Sequence, residues 1–354
     1  MSAVDLDDVL DALFLPLAQG AVAAPDRADD TRPGVFLRAR AGGWQGRWRG
    51  GFACVQTFKP FADALERSGA RLVDTVPPSA PLVVVLPPRQ RDEARALFAQ
   101  AVRVAAGGGI VVACQPNNEG ARSGAADLER IAGPLQGASR HKCRVYWTAP
   151  LGARVDAALA AEWGALDATR PVAGGAWLSR PGLFAWDRID AASALLAEHL
   201  PPTLGPRVAD LGAGFGYLAC EVVRRCAGVE ALDLYEAEAR AREPAEANLL
   251  AALASCKRAI PTAFLWHDVT RGLPRRYDAI VSNPPFHQGR ADDPGLGRAF
   301  IEAAAGALEP HGVLLLVANR HLAYEATLAA RFASVRSLAE RDGFKVIEAK
   351  EPRA

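Results

Sequence analysis

The sequence predicts an α/β protein with two tandem Rossmann-like domains, and three observations support this fold class. Apolar runs of strand length alternate with helical patterns through the second half of the chain. The order strand, Pro-Pro, helix, glycine, strand occurs twice, over residues 82–113 and again over residues 279–318. A glycine-rich turn precedes the second copy but not the first. We infer a duplicated domain and expect the chemistry in the second copy.

The elements of the second half predict a parallel, doubly wound sheet, in which ligands bind at the carboxyl ends of the strands. Five strands are predicted at residues 207–211, 229–236, 262–268, 277–282 and 312–319. The helices between them are predicted at residues 217–226, 237–253 and 300–308.

The first half repeats part of this pattern but differs where chemistry is expected. Its strand, helix and strand are predicted at residues 82–88, 92–106 and 107–113. Leu86 stands where the second copy has Asn283, and Arg89 stands where it has Phe286. A chance similarity between two common α/β patterns is the alternative to duplication.

A Pro- and Gly-rich segment at residues 150–181 marks the predicted boundary between the two domains. We expect one domain over residues 1–170 and the other over residues 171–354. A chain of 354 residues is long for one core and reasonable for two.

Composition places the chain among globular proteins, because half of its residues are apolar. The net charge of +1 gives no argument for nucleic acid and does not exclude a local basic patch. Six cysteines without a CxxC pair indicate reduced thiols, so we expect no metal and a cytoplasmic protein.

The N-terminus is predicted to be an amphipathic helix. Residues 13–25 imitate a signal peptide, but the acids Asp5, Asp7, Asp8 and Asp11 precede them, and signal peptides begin with positive charge. No apolar run in the sequence reaches the length that crosses a bilayer, and we expect no membrane partner.

The glycine-rich turn, ADLGAGFGYL, begins with an acid and spaces its glycines by two. Asp210, Gly212, Gly214 and Gly216 lie between a strand and a helix, where glycines let the backbone turn tightly and a ligand approach it. A dinucleotide fingerprint has its third glycine one residue later, where this chain has Tyr217. The spacing therefore favours S-adenosyl-L-methionine over NAD.

Two further acids end predicted strands at the same edge of the sheet. Glu236 closes the second strand, where a carboxylate can accept from both ribose hydroxyls of a cofactor, and Asp233 is the competing candidate. Asp268 closes the third strand and can accept from the adenine amino group, or it can cap a turn.

The fourth strand runs into Asn283, Pro284, Pro285 and Phe286, which we predict to be the catalytic residues. The Asn283 side-chain oxygen and the Pro284 carbonyl can both accept from an NH2 group that is conjugated to a flat ring. Accepting both hydrogens aims the nitrogen lone pair at the methyl donor, and the prolines hold the acceptors in one geometry. Phe286 can stack on the ring, and Asn283 is expected to touch the cofactor as well. The alternative is a turn that merely ends a strand.

These motifs resemble the bacterial ribosomal RNA guanine-N2 methyltransferases. DLGAGFG at residues 210–216 and SNPPFHQG at residues 282–289 carry the resemblance, and it is strongest to the small-subunit (16S) enzymes. VAN at 317–319 and FKV at 344–346 are similar to that family's last strands. KCRVY at 142–146 and RPGLFAWDRID at 180–190 resemble its linker region, although Ala185, Ala191 and Ala192 depart from the family pattern.

The resemblance implies two tandem class I methyltransferase domains, of which the N-terminal one is degenerate and binds substrate or supports folding. It implies S-adenosyl-L-methionine as cofactor and 16S ribosomal RNA as partner, and it extends the site to His287. Methylation of 23S ribosomal RNA, of adenine or of protein glutamine stays an alternative, as does a non-catalytic RNA-binding assembly factor. The oligomeric state is open, and a monomer is favoured.

Contact with RNA is expected from arginines interleaved with tryptophans in FLRARAGGWQGRWRGG, since arginines contact phosphate and indoles stack on unpaired bases. The residues are Arg38, Arg40, Trp44, Arg47, Trp48 and Arg49. Such a pattern is also typical of a solvated strand face. Residues 140–142 and Arg290, just past the catalytic loop, are further candidates.

Overall fold

The computed structural model describes residues 5–25, 32–285, 287–288, 291–292 and 294–353. The chain divides into two compact units, Met1–Ala168 and Thr169–Ala354. This division lies inside the Pro- and Gly-rich segment, two residues before the predicted boundary. None of the described helices is both long and apolar enough to span a bilayer.

The first unit is built on a seven-stranded sheet in the order β3-β2-β1-β4-β5-β7-β6. Its strands are β1 Gly34–Leu37, β2 Phe52–Val55, β3 Arg71–Leu72, β4 Leu82–Val85, β5 Ile110–Pro116, β6 Leu135–Arg140 and β7 Cys143–Thr148. Its helices are α1 Leu6–Leu13, α2 Leu15–Ala18, α3 Gln45–Trp48, α4 Lys59–Arg67, α5 Arg91–Val104, α6 Ala121–Ala132 and α7 Ala157–Gly164.

The second unit begins with a short antiparallel ladder of β8 Arg170–Val172 and β9 Trp177–Ser179. Its main sheet comprises β10 Arg207–Leu211, β11 Ala231–Glu236, β12 Thr262–Trp266, β13 Tyr277–Ser282, β16 Leu308–Asn319, β17 Phe332–Arg341 and β18 Phe344–Pro352. A second ladder pairs β14 His287–Gln288 with β15 Ala291–Asp292. The helices are α8 Ala191–Glu198, α9 Tyr217–Arg225, α10 Arg242–Ser255, α11 Pro294–Ala307 and α12 Glu325–Arg331.

The two main sheets have the same strand order and the same polarity. The second sheet is ordered β12-β11-β10-β13-β16-β18-β17, and each of its strands occupies the same position as the corresponding strand of the first sheet. In each, the first five strands are parallel, and the sixth is antiparallel to both of its neighbours. The predicted duplication and two-domain α/β fold are therefore confirmed.

Three local predictions were wrong. The sheets are mixed rather than parallel, because a hairpin adds two antiparallel strands at one edge of each. KCRVY is not linker: Cys143–Thr148 is β7, a buried strand of the first sheet. The Arg- and Trp-rich segment is not one strand face, because β1 ends at Leu37 and a loop and α3 follow.

Strand register identifies the equivalent positions of the two units. Leu37 pairs with Val55 and Val85, as Leu211 pairs with Tyr235 and Ser282. The residues that follow these strands are therefore counterparts: Gln56 of Glu236, and Leu86 of Asn283. The turn after β1 is likewise the counterpart of the glycine-rich turn after β10.

The counterpart turn of the first unit lacks the features that a cofactor needs. Gln56 Nε2 donates to the Ala39 carbonyl over 2.7 Å, whereas Glu236 accepts from the Gly214 amide of the glycine-rich turn. Trp44, which follows the turn, is buried and packs on Phe14 with ring centroids 5.2 Å apart. This position thus carries a neutral amide and a core indole.

Candidate active site at the strand ends of the second unit

The carboxyl ends of β10 and β13 bring the glycine-rich turn against the Asn-Pro-Pro loop. Ser282 Oγ donates to the Leu211 carbonyl over 2.8 Å and joins the two strand ends. A Cβ added at Gly212 would lie 3.8 Å from the Asn283 carbonyl oxygen and 4.0 Å from Pro285 Cδ. The structure therefore places the two motifs side by side, which sequence spacing alone did not establish.

The three glycines of the turn are needed for different physical reasons. All have positive φ, at 74° for Gly212, 53° for Gly214 and 84° for Gly216, a region that side chains disfavour. A Cβ at Gly216 would also lie 3.2 Å from the Ala245 carbonyl oxygen, so this glycine lets α9 approach α10. No atom lies within 4 Å of a Cβ added at Gly214, so the backbone there stays open to a ligand.

Asp210 carries a buried carboxyl group at the base of the turn. Its Oδ2 accepts from the Ala219 amide over 3.0 Å, while Oδ1 is buried without a hydrogen-bond partner among the described residues. Burial raises the pKa of Asp210 to about 7, and the nearby charge of Glu236 acts in the same direction. An orphaned oxygen of this kind fits a site that a polar ligand completes.

Glu236 lies at the end of β11 and faces the same turn. Its Oε2 accepts from Gly214 N and its Oε1 from Glu238 N, both over 2.8 Å. Burial raises the pKa of Glu236 as well, although the backbone donors oppose this shift. Neither Glu236 nor Asp210 forms an ion pair with a Lys or Arg of the described residues. The two carboxyl groups therefore suit a ligand that brings positive charge.

The alternative acids lie in other arrangements. The Asp233 carboxylate accepts from Tyr277 Oη over 2.7 Å and from Arg275 Nη1 over 2.8 Å, in a network away from the turn. Asp268 Oδ1 accepts from the Thr270 amide and hydroxyl, so the capping role that the sequence left open is present. Contact of Asp268 with adenine stays a prediction.

Asn283 lies at the end of β13 with its side-chain nitrogen fixed. Nδ2 donates to Asp190 Oδ2 over 2.9 Å and to Ser193 Oγ over 2.8 Å. Pro284 is buried and Pro285 is exposed, so the loop turns from the core to the surface across the proline pair. Phe286 and Arg290 lie outside the described residues, and only the backbone of His287 is described, at the start of β14.

Sequence reasoning missed three residues that hold this site. Asp190 and Ser193 belong to the start of α8, and the Asp-x-x-Ser spacing before an apolar run was the available signal. Asn248 is buried in α10, where its Nδ2 donates to the carbonyls of Phe215 and Leu178, both over 2.8 Å. A lone Asn in an Ala-rich helix gave no signal before the fold was known.

The residues expected to grip RNA in the first unit have intramolecular partners. Arg38 forms an ion pair with Glu93. The Arg40 guanidinium lies over the Phe61 ring. Trp48 stacks on Phe14 with centroids 5.3 Å apart, and Trp44 is part of the same cluster.

Two members of that segment differ in what the structure describes. Arg47 has an exposed side chain, which lies 4.9 Å from the centroid of the Trp48 ring. The Arg49 side chain is outside the described atoms. In the second candidate, Arg140 and His141 contact Asp11 of α1. Base stacking by Trp44 would require its core to open.

Comparison with known proteins places these observations in a family. Residues 175–348 match the family described as the methyltransferase small domain. The second unit belongs to this methyltransferase family. The match covers the glycine-rich turn, both buried carboxyl groups and the Asn-Pro-Pro loop.

Curated relatives bear the name ribosomal RNA small subunit methyltransferase C. The relative from Stutzerimonas stutzeri is 36% identical over 172 residues, which is 49% of this chain and 50% of that protein. The relative from Chromohalobacter salexigens is 37% identical over 222 residues, 61% of each protein. The chain thus spans between half and three-fifths of these relatives, and the predicted resemblance to this family is confirmed.

A solved structure shares the whole two-domain fold. It is the T. thermophilus 16S rRNA guanine-N2 methyltransferase in complex with AdoMet and guanosine, with a TM-score of 0.75 and 24% identity. The similarity covers 98% of this chain and 93% of that one. Two tandem α/β domains of the class I methyltransferase type are therefore the architecture of this chain.

Proposed function

We propose that the protein transfers a methyl group from S-adenosyl-L-methionine to the exocyclic N2 of a guanine in 16S ribosomal RNA. The observation that carries the proposal is the Asn283 carboxamide, held beside a glycine-rich turn with two buried carboxyl groups. The names of the relatives, and the AdoMet and guanosine bound to the T. thermophilus enzyme, support the same reaction.

The glycine-rich turn and its carboxyl groups would hold the methyl donor. The open backbone at Gly214 admits a close ligand, and Glu236 would accept from the ribose hydroxyls, as carboxylates at this strand end do. Asp210 Oδ1 is buried without a partner among the described residues and suits a donor group of positive charge. When bound, the sulfonium cofactor supplies an electrophilic methyl group and leaves as a neutral thioether.

The catalytic loop would act on the acceptor amine. A guanine N2 is a poor nucleophile, because its lone pair is delocalised into the ring. The Asn283 side-chain oxygen and the Pro284 carbonyl, as acceptors for its two hydrogens, favour a tetrahedral nitrogen whose lone pair points at the donor. Phe286 is proposed to stack on the base, which contributes roughly 1–3 kcal/mol. His287 and Arg290 remain candidates for contact with the adjoining RNA.

The first unit would bind RNA or support folding, without methyl transfer of its own. Its counterpart of Glu236 is the neutral Gln56, and its counterpart of Asn283 is the apolar Leu86. The exposed Arg47, whose guanidinium lies 4.9 Å from the Trp48 ring centroid, is proposed to meet phosphate.

The experiment replaces Asn283 and measures the product. Asn283→Ala should reduce transfer of labelled methyl groups to rRNA to a small residual rate, while calorimetry still detects binding of S-adenosylhomocysteine. Leu86→Ala is the matched control at the counterpart position of the first unit, and it should leave transfer intact. A normal rate of transfer by Asn283→Ala would refute the proposal.

Nucleoside mass spectrometry separates the substrates. Loss of N2-methylguanosine from 16S rRNA of a deletion strain, with 23S rRNA unchanged, supports the proposal. Loss confined to 23S rRNA, to methyladenine or to methylated protein glutamine would indicate that the same loop acts on that acceptor instead. A protein that binds neither S-adenosyl-L-methionine nor its product would instead be a non-catalytic RNA-binding factor.

A further inference from the structure

We propose that Asp190 and Ser193 are positioning residues for Asn283, and that they hold its carboxamide with the oxygen toward the reacting amine. The inference rests on the proposed function, since it assigns the orientation that the chemistry requires. It extends the site to the start of α8, an element outside the sheet that carries the glycine-rich turn and the catalytic loop.

The side-chain nitrogen of Asn283 has a hydrogen-bond acceptor for each of its hydrogens. A carboxamide nitrogen has two hydrogens, and Nδ2 has two acceptors, Asp190 Oδ2 at 2.9 Å and Ser193 Oγ at 2.8 Å. Both hydrogens are therefore used. The side-chain oxygen is the end of the carboxamide that points away from these partners, and it is the acceptor that the proposed reaction needs.

A flip of the Asn283 carboxamide, which would exchange its nitrogen and oxygen, costs free energy. An ionised Asp190 only accepts hydrogen bonds, so a flipped Asn283 would set its oxygen against a carboxylate oxygen. Such a contact loses the hydrogen bond to Asp190 and adds repulsion between like partial charges, while the Ser193 hydroxyl can donate to the flipped oxygen. The chemistry of the neighbours thus fixes an orientation that atom positions alone leave ambiguous.

The start of α8, which carries Asp190 and Ser193, is itself held in place. Asp190 caps α8, and the same Oδ2 accepts from the Ser193 amide over 2.9 Å. Ser193 is 9% exposed, and the residues that follow it, Leu195 and Leu196, belong to the core. The start of α8 therefore cannot shift independently of the sheet, and it transmits the position of the core to Asn283.

Asp190 contributes charge as well as position. A carboxylate on the NH2 group favours the amide resonance form with more negative charge on the oxygen. The oxygen becomes a stronger acceptor for hydrogens of the guanine amine. An ordinary helix cap does not require such a partner: Asp156 caps α7 through the Leu159 amide over 2.9 Å and bonds no carboxamide that the structure describes.

The test uses two variants that leave the helix cap in place. Asn caps helices as well as Asp, so Asp190→Asn should keep the unfolding midpoint while it removes the charge that strengthens the hydrogen bond to Asn283. Ser193→Ala removes one acceptor and leaves the cap untouched. We expect each variant to lower kcat about 10- to 100-fold, as for misplaced catalytic groups, with the Kd of S-adenosylhomocysteine within about twofold.

Two controls distinguish positioning from general structure. Asp156→Asn makes the same change at the cap of α7 and should leave kcat unchanged. In an Asn283→Ala background, Asp190→Asn and Ser193→Ala should have no further effect on the residual rate, because the group they position is gone. Full kcat in either single variant, or full additivity in the Asn283→Ala background, would overturn the proposal.

A readout without substrate keeps the inference separate from the proposed function. The side-chain NH2 resonances of Asn283 are assigned by their loss in Asn283→Ala. In the wild-type protein we expect them to be shifted and slow to exchange, and Ser193→Ala should move one of the two toward solvent values. A wild-type protein that fails to methylate RNA but shows this pair would reject the activity and retain the positioning. Solvent-like resonances in the wild type would reject the positioning itself.

Discussion

Replacement of Asp210 by Asn should stabilise the ligand-free second unit above neutral pH while it weakens binding of the methyl donor. The carboxyl group is 1% exposed, and one of its oxygens has no partner among the described residues. Burial first, and then the charge of Glu236, raise its pKa from 3.8 to about 7. The ionised form is therefore costly in the absence of a cationic ligand.

The magnitude follows from the pKa shift. Between pH 4 and pH 7 the folded protein retains a proton at Asp210 that the unfolded chain has released, so stability falls as pH rises. The slope is about 1.4 kcal/mol per pH unit, and the whole shift amounts to roughly 4 kcal/mol at most. A carboxamide at this position would not titrate, so the Asp210→Asn variant should lack this slope and exceed the wild type by about 2–4 kcal/mol at pH 8.

Hydrogen exchange of the β10 amides at pH 5 to 8, corrected for the intrinsic exchange rate, measures this difference in the second unit alone. Calorimetry with S-adenosylhomocysteine measures the loss of affinity. Asp156→Asn is the matched control: it makes the same substitution at an exposed helix cap, and it should leave the pH dependence unchanged. A stability difference between Asp210→Asn and wild type that does not vary with pH would refute the reasoning.

Three further substitutions test the packing within the two units. Gly216→Ala should lower the free energy of unfolding by about 1–3 kcal/mol, because it combines positive φ with a contact to the α10 backbone; urea titration checks this, and an unchanged midpoint would contradict it. Arg258→Met should cost about 2–4 kcal/mol, since the guanidinium donates to four carbonyls at and after the end of α9; faster exchange there is the readout, and normal protection would count against the role. Trp44→Ala should destabilise the first unit by about 3–5 kcal/mol through a core cavity; thermal unfolding measures it, and a loss of RNA affinity without a change in Tm would instead support base stacking.

The fold was largely predictable because strand burial and turn chemistry act locally. RVADL and YDAIVS are strands over the predicted residues, since their apolar runs end at glycine or proline. The edge strand β17 was missed because most of its residues are exposed, and it therefore lacks the alternation that identifies a half-buried strand.

The site was predictable only where the chain itself carries the motif. Asp210 and Glu236 lie in the last two residues of their strands and Asn283 directly follows its strand, so their common edge follows from the parallel topology. The contact of Asp190 with Asn283 joins residues 93 positions apart, and no local pattern records such a pair. The Arg and Trp alternation did not reveal that Phe14, from α1, stacks on both indoles, because that contact joins distant parts of the chain.

The amide of Gln56 opposes a carboxylate at this position of the first unit. Its nitrogen faces the Ala39 carbonyl, so a glutamate there would press two oxygens together and bury a charge. The neighbouring indole of Trp44 would also have to leave the core before any ligand entered. A single change to a carboxylate at position 56 would therefore not create a site for a methyl donor in the first unit.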